Sequence, residues 1–145
     1  MRITRYTDYA LRVLMYLAVC DQRATIADIA ARYDISKNHL MKVVQQLNQL
    51  GYLDATRGKN GGLQLSRPAG EINLGALVRD TEQDFAIVEC FNSATDTCTL
   101  TPVCRLKGIF AEALAAFIAV LDNYTLADLT PNKKHHIQLL RLLNL

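Results

Sequence analysis

The chain has 145 residues, is half hydrophobic with only 7% aromatic residues, and carries a formal net charge of +2. Its length excludes two large independent cores and its composition excludes a disordered chain, so one compact, helix-rich unit is expected. Residues 1–67 hold ten Lys or Arg against five Asp or Glu, and residues 68–145 hold six against nine, leaving a +5 half joined to a −3 half. Such an asymmetry suits a protein that meets a polyanion at one end.

Arg2 and Arg5 ahead of the apolar stretch Val13 to Cys20 imitate a secretory leader, but Asp8 interrupts the pattern and Val19 is a poor cleavage residue. The longest charge-free apolar run, Ala113 to Leu121, is well short of the roughly 20 residues of a membrane span. A cytoplasmic protein is expected. From Tyr9 to Val19, Ala10, Val13, Leu14, Leu17 and Ala18 recur at helical spacing and predict a first helix. Thr25 with Asp28 forms a plausible capping box for a short second helix striped by Ile26, Ile29, Ala30 and Tyr33. Ser36 is a ready N-cap for a third, whose buried stripe is Leu40, Val43, Val44 and Leu47 and which runs to Gly51.

Tyr52–Thr56 and Leu63–Ser66 read as two strands around Arg57-Gly-Lys-Asn-Gly-Gly62, a glycine-rich hairpin turn. A hairpin directly after a helix-turn-helix is a wing. Ile72, Leu74, Leu77 and Val78 suggest a further helix, followed by a polar loop from about Glu82 to Thr101. Thr101 at N-cap and Pro102 at the first helical position predict the start of a long helix carrying Leu106 to Leu121. That helix has more apolar coverage than one chain uses, which predicts dimer packing. Thr125 to Leu145 reads as one or two short helices. The fold class is therefore mainly α with a small β-hairpin: a winged helix-turn-helix over residues 1–67, then a loop and helical dimerisation region over 68–145.

On the third helix, Lys42, Gln45, Gln46 and Gln49 occupy the face opposite the apolar stripe, with Ser36, Lys37, Asn38 and His39 at its N-terminal end. No acidic residue occurs from Ser36 to Leu53. Lysine neutralises phosphate and amides donate to and accept from base edges, so this face suits the DNA major groove, and Arg57, Lys59 and Asn60 at the wing tip suit the backbone or minor groove. A solvated helix face would normally mix both charge signs. Gly58-Lys59 is not a nucleotide-binding loop, because the nearest upstream glycine is misplaced and no Ser or Thr follows the lysine.

Cys90, Cys98 and Cys104 fall within fifteen residues, whereas Cys20 stands alone on the first helix and reads as packing. Three thiols cannot pair completely within one chain, leaving a metal or redox role. Cys104 is expected at the third position of the helix opened by Thr101, where free N–H groups, Arg105 and Lys107 stabilise a thiolate. Three thiolates leave one coordination position for another residue, and His39, His135 and His136 are all remote in sequence.

Thr7-Asp-Tyr-Ala-Leu-Arg12, Asn38-His-Leu-Met-Lys-Val43, Gly51-Tyr-Leu, Arg57-Gly-Lys-Asn-Gly-Gly62 and the cysteine triplet together resemble the winged-helix iron-sulfur transcription regulators, over nearly the whole length. Thr101-Pro-Val-Cys-Arg-Leu-Lys107 and Leu121-Asp-Asn-Tyr-Thr-Leu-Ala-Asp128 resemble the nitric-oxide-sensing repressors of that family. The cluster-assembly branch has a histidine three residues after the last cysteine, where this chain has Lys107. The resemblance implies a homodimer on a palindromic operator and an iron-sulfur cluster, 4Fe-4S or alternatively 2Fe-2S. It further implies Cys90, Cys98 and Cys104 as ligands, with Asp8 of the partner subunit as the fourth. Reaction with nitric oxide would then release DNA. The competing readings are a 2Fe-2S redox or iron-status regulator, a thiol enzyme or electron carrier, and a zinc-stabilised interaction module; neither enzyme nor carrier accounts for Lys42, Gln45 and the wing.

Overall fold

The computed structural model describes residues 2–58 and 61–145. Helix α1 spans Arg5–Val19, α2 Ile26–Tyr33 and α3 Lys37–Gln49, followed by strands β1 Leu53–Thr56 and β2 Gly62–Leu65. Beyond them come α4 Leu74–Thr81, α5 Arg105–Asp122 and α6 Lys133–Leu142, with short 3-10 turns between. The mainly helical winged-helix reading is the architecture observed.

Helix α1 begins four residues before the expected start at Tyr9 because Thr4 caps it, its side chain accepting from the Thr7 N–H. Its buried face, Ala10, Val13, Leu14 and Leu17, sits at the centre of the core, packed between α3, β2, α4 and α6. At α2 the capping box forms in both directions: Asp28 N–H donates to the Thr25 hydroxyl at 3.1 Å, and Thr25 N–H donates to Asp28 Oδ2 at 2.9 Å. The Thr25 hydroxyl also donates to Asp28 Oδ2 at 2.7 Å, and this bond, then the one from the Thr25 N–H, holds the Asp28 carboxyl below the usual carboxylate range. The chain leaves α2 through Asp34 in the left-handed region (φ 51°), and α3 starts at once. Ser36 is its N-cap by position, but its side chain makes no capping hydrogen bond.

Gly51, at φ 75°, stops α3. The Gly51 N–H donates to the Asn48 carbonyl at 3.1 Å and the Tyr52 N–H to the Leu47 carbonyl at 2.9 Å, a Schellman closure that aims the chain into the wing. The two strands pair antiparallel, Leu53 opposite Leu65 and Thr56 opposite Gly62. Ala24 bridges to β2 as well, exchanging N–H···O bonds of 3.1 and 2.7 Å with Leu63 and fixing the wing to the start of α2. One core unites both halves of the sequence, for Ile72, Leu77, Leu126 and Leu143 are buried with the residues of α1 to α3.

The structure departs from the sequence pattern at residues 101–104 and at Cys20. Thr101–Val103 is a separate 3-10 turn, so α5 starts at Arg105 and Cys104 is its N-cap rather than its third residue; Thr101 makes no capping bond. Cys20 is the half-buried C-cap of α1 rather than a residue within the helix, its thiol donating to the Gln22 carbonyl at 3.1 Å. The final segment divides into the 3-10 turn Leu126–Leu129, held by a Thr125–Asp128 capping box, and α6, capped by Asn132. Helix α5 has no buried residue in the single chain, and Leu106, Ile109 and Val120 stand exposed along it. No helix among the described residues is long and apolar enough to cross a membrane.

Candidate nucleic-acid interface and metal centre

A surface groove runs between α3, the wing and the first turn of α2. From α3 it is lined by Lys37, Asn38, Met41, Lys42, Gln45 and Asn48, and from the wing by Arg57 and its glycines. Ser36, Lys37, Asn38, His39, Lys42, Gln45 and Gln49 are all exposed. Gln46 differs: it is half-buried on the flank that meets α4, and its amide donates to the Asp80 carbonyl at 3.4 Å. Lys59 and Asn60 lie outside the described residues.

Two residues that the sequence does not single out support this surface. The Asn48 side chain accepts the Ala55 N–H at 3.0 Å and ties the recognition helix to the wing. Arg23 braces the wing from behind by donating to the Thr56 hydroxyl. Neither has a local sequence signal, because both bonds join segments that only the fold brings together.

Helix α4 touches each part of the molecule that a signal would have to cross. Tyr52, buried at the base of the wing, donates its hydroxyl to Asp80 Oδ2 at 2.6 Å, and the Arg67 guanidinium lies over its ring at 4.9 Å. Burial, then the bond to Asp80, pushes the Tyr52 hydroxyl far above its usual range. Glu82, just past α4, accepts from the Thr4 N–H at 2.9 Å and its hydroxyl at 3.0 Å, holding the cap of α1. Arg79 pairs with Asp122 of α5 at 2.6 Å.

The polar loop between α4 and α5 carries the cysteines. Cys90 lies in the 3-10 turn Glu89–Phe91 and is half-buried, Cys98 is exposed, and Cys104 is half-buried. Local bonds shape the loop: Glu89 accepts from the Thr97 N–H at 2.8 Å and from its hydroxyl, while Asp96 accepts from the Cys98 N–H at 3.0 Å and the Thr101 hydroxyl at 3.1 Å. All four cysteines are free thiols. Cys104 stands at the N-cap of an 18-residue helix whose first turn has no acid, and its side chain makes no capping hydrogen bond. Three such thiols suit iron or an iron-sulfur cluster by chemistry. Within one chain, no three His, Cys, Asp or Glu side chains among the described residues are gathered to hold a metal ion. Asp8 stands in the first turn of α1, half-exposed and paired with Arg12 at 2.9 Å, and Arg12 in turn lies over the Tyr33 ring at 5.7 Å.

A helix-turn-helix with a braced wing and an acid-free recognition face defines a winged-helix DNA-binding protein. The Rrf2 family, "Iron-dependent Transcriptional regulator", matches residues 3–132, and the chain belongs to that family. It is 50% identical over 144 residues to the HTH-type transcriptional regulator NsrR of Bacillus subtilis (strain 168), covering 98% of this chain and 99% of that one. It is 48% identical over 144 residues to NsrR of Halalkalibacterium halodurans, with the same coverage of 98% and 99%. CymR (YrzC), the global cysteine regulator of B. subtilis, has the same fold, with a TM-score of 0.70 over 89% of this chain and 95% of that one at 24% identity. The protein is a DNA-binding transcription regulator, not an enzyme.

Proposed function

We propose that the chain is a cytoplasmic, homodimeric repressor that senses nitric oxide through an iron-sulfur cluster. The observation that carries this reading is the cysteine triplet: three free thiols on one loop, the last capping the exposed dimerisation-type helix α5 with Arg105 and Lys107 in its first turn. Full-length likeness to regulators named NsrR supports it. Cys90, Cys98 and Cys104 hold the cluster, 4Fe-4S with 2Fe-2S as the alternative, and Asp8 of the partner subunit supplies the fourth ligand. When bound, the cluster supplies iron that reacts with nitric oxide.

The remaining steps belong to the chain. Residues 1–67 read a palindromic operator, and residues 68–145 form the cluster loop and dimer contact. Lys37, Lys42 and Arg57, with Lys59, neutralise phosphates; Asn38 and Gln45 address base edges, with Gln46 on their flank against Asp80; Ser36, His39 and Asn60 complete the contact surface. Asp8 sits on α1, which packs against α3, so a cluster held in part by Asp8 would be tied through α1 to how the recognition helices are held. Protein purified without oxygen should contain iron and sulfide, with a visible spectrum that collapses as nitric oxide is added and operator affinity that falls in parallel. Zinc instead of iron, or a cluster inert to nitric oxide, would overturn the reading; a 2Fe-2S spectrum would correct its nuclearity.

A further inference from the structure

We propose that Met41 reads the 5-methyl group of a thymine in the major groove and so sets part of the regulator's sequence preference. The inference rests on the DNA-binding reading of α3 and deepens it. Met41 is 50% exposed, the one large hydrophobic residue exposed within α3. It is not a displaced core residue, since Leu40, Val43, Val44 and Leu47 already complete the buried stripe.

Position gives the exposed side chain its meaning. Met41 lies three residues after Asn38 and four before Gln45, so the three share one row along the helix. All three line the groove between α3 and the wing, together with Lys37, Lys42 and Arg57. Cations with no acid on the recognition helix fit a polyanion, and that brings the amide row to the base edges. Thymine alone presents a methyl group in the major groove, beside its O4 acceptor. A flexible, polarisable thioether between two amides is suited to cover it, and doing so removes two exposed apolar groups from water together.

The test uses the full-length protein with its native cluster state. A duplex site is selected from a random library by the wild type, and each thymine of that site is replaced in turn by uracil, which lacks only the methyl. At one thymine per half-site, uracil should weaken wild-type binding about 4-fold, the equivalent of one buried methyl at ~0.8 kcal/mol, and about 15-fold when both half-sites are changed. Met41→Ala should bind thymine and uracil equally there, while Met41→Leu should still prefer thymine. Affinity for random DNA and its salt slope should match the wild type for both variants. Undiminished uracil sensitivity in Met41→Ala, or no sensitive thymine in the wild type, would overturn the role of Met41 while leaving DNA reading by α3 intact. A wild type that selects no sequence would overturn both.

Discussion

The Tyr52 hydroxyl donates to Asp80 Oδ2 at 2.6 Å, so the base of the wing and the last turn of α4 share a hydrogen bond between residues 28 apart in sequence. Tyr52→Phe should cost about 1 kcal/mol in denaturant unfolding, no more, because the exposed Asp80 regains water. The pH dependence has a fixed sign. Burial, then the bond to Asp80, raises the folded-state pKa of Tyr52, so the stability gained by keeping its hydroxyl protonated is fully present below the ordinary value near 10 and is lost as pH rises above it. Wild type should therefore lose more stability than Tyr52→Phe between neutral pH and about pH 11; parallel curves would show that Tyr52 does not titrate with unfolding.

Gly75 is the point where α4 presses on α5. A Cβ there would lie 2.8 Å from Asp122 Cγ and 3.0 Å from the Asp122 backbone nitrogen, whereas at Gly70 it would meet nothing within 4 Å. Gly75→Ala should destabilise the protein by roughly 1–3 kcal/mol through overpacking, against the small gain expected of alanine in a helix. Gly70→Ala should change stability by less than about 0.5 kcal/mol. Comparison of the two denaturation midpoints checks this.

Lys42 and Gln45 share the recognition face but should fail differently. Lys42→Ala should weaken specific and random DNA alike and reduce the log-log salt slope by about 0.9, the counterions released per phosphate contact. Gln45→Ala should lose about 1–3 kcal/mol of discrimination with an unchanged slope. Gln46→Ala offers a contrast, because its amide already bonds Asp80. Equal losses on operator and random DNA for Gln45→Ala would remove the glutamine from base readout.

The first three helices and the hairpin were legible because each carries its own local signal: the stripes of α1 to α3, the Thr25–Asp28 box and Gly51 all work within a few residues. What was not legible depends on contacts between distant segments. Gln46 sits at the edge of the polar face, and only the approach of α4 gives it to Asp80. Thr101-Pro102 has the residues of a helix start, yet the turn closes after Val103 and hands the cap to Cys104, which changed that sulfur's place by a turn. Asn48 reads as one more polar residue until Ala55 of the wing folds back onto it. The cysteine triplet suggested a candidate centre from spacing alone, while Asp8 entered only through family resemblance, since the fourth-ligand role proposed for it would join two subunits.

The most direct measurement of the link between cluster and DNA is operator affinity before and after nitric oxide, for anaerobic wild type and Asp8→Ala, with cluster content followed by visible absorption. Wild type should lose affinity about 5- to 150-fold, a coupling of roughly 1–3 kcal/mol. Asp8→Ala should retain a labile cluster on Cys90, Cys98 and Cys104 and lose most of that response. An Asp8→Ala protein with both the full cluster spectrum and the full wild-type response would contradict the proposal that Asp8 is ligand and coupler.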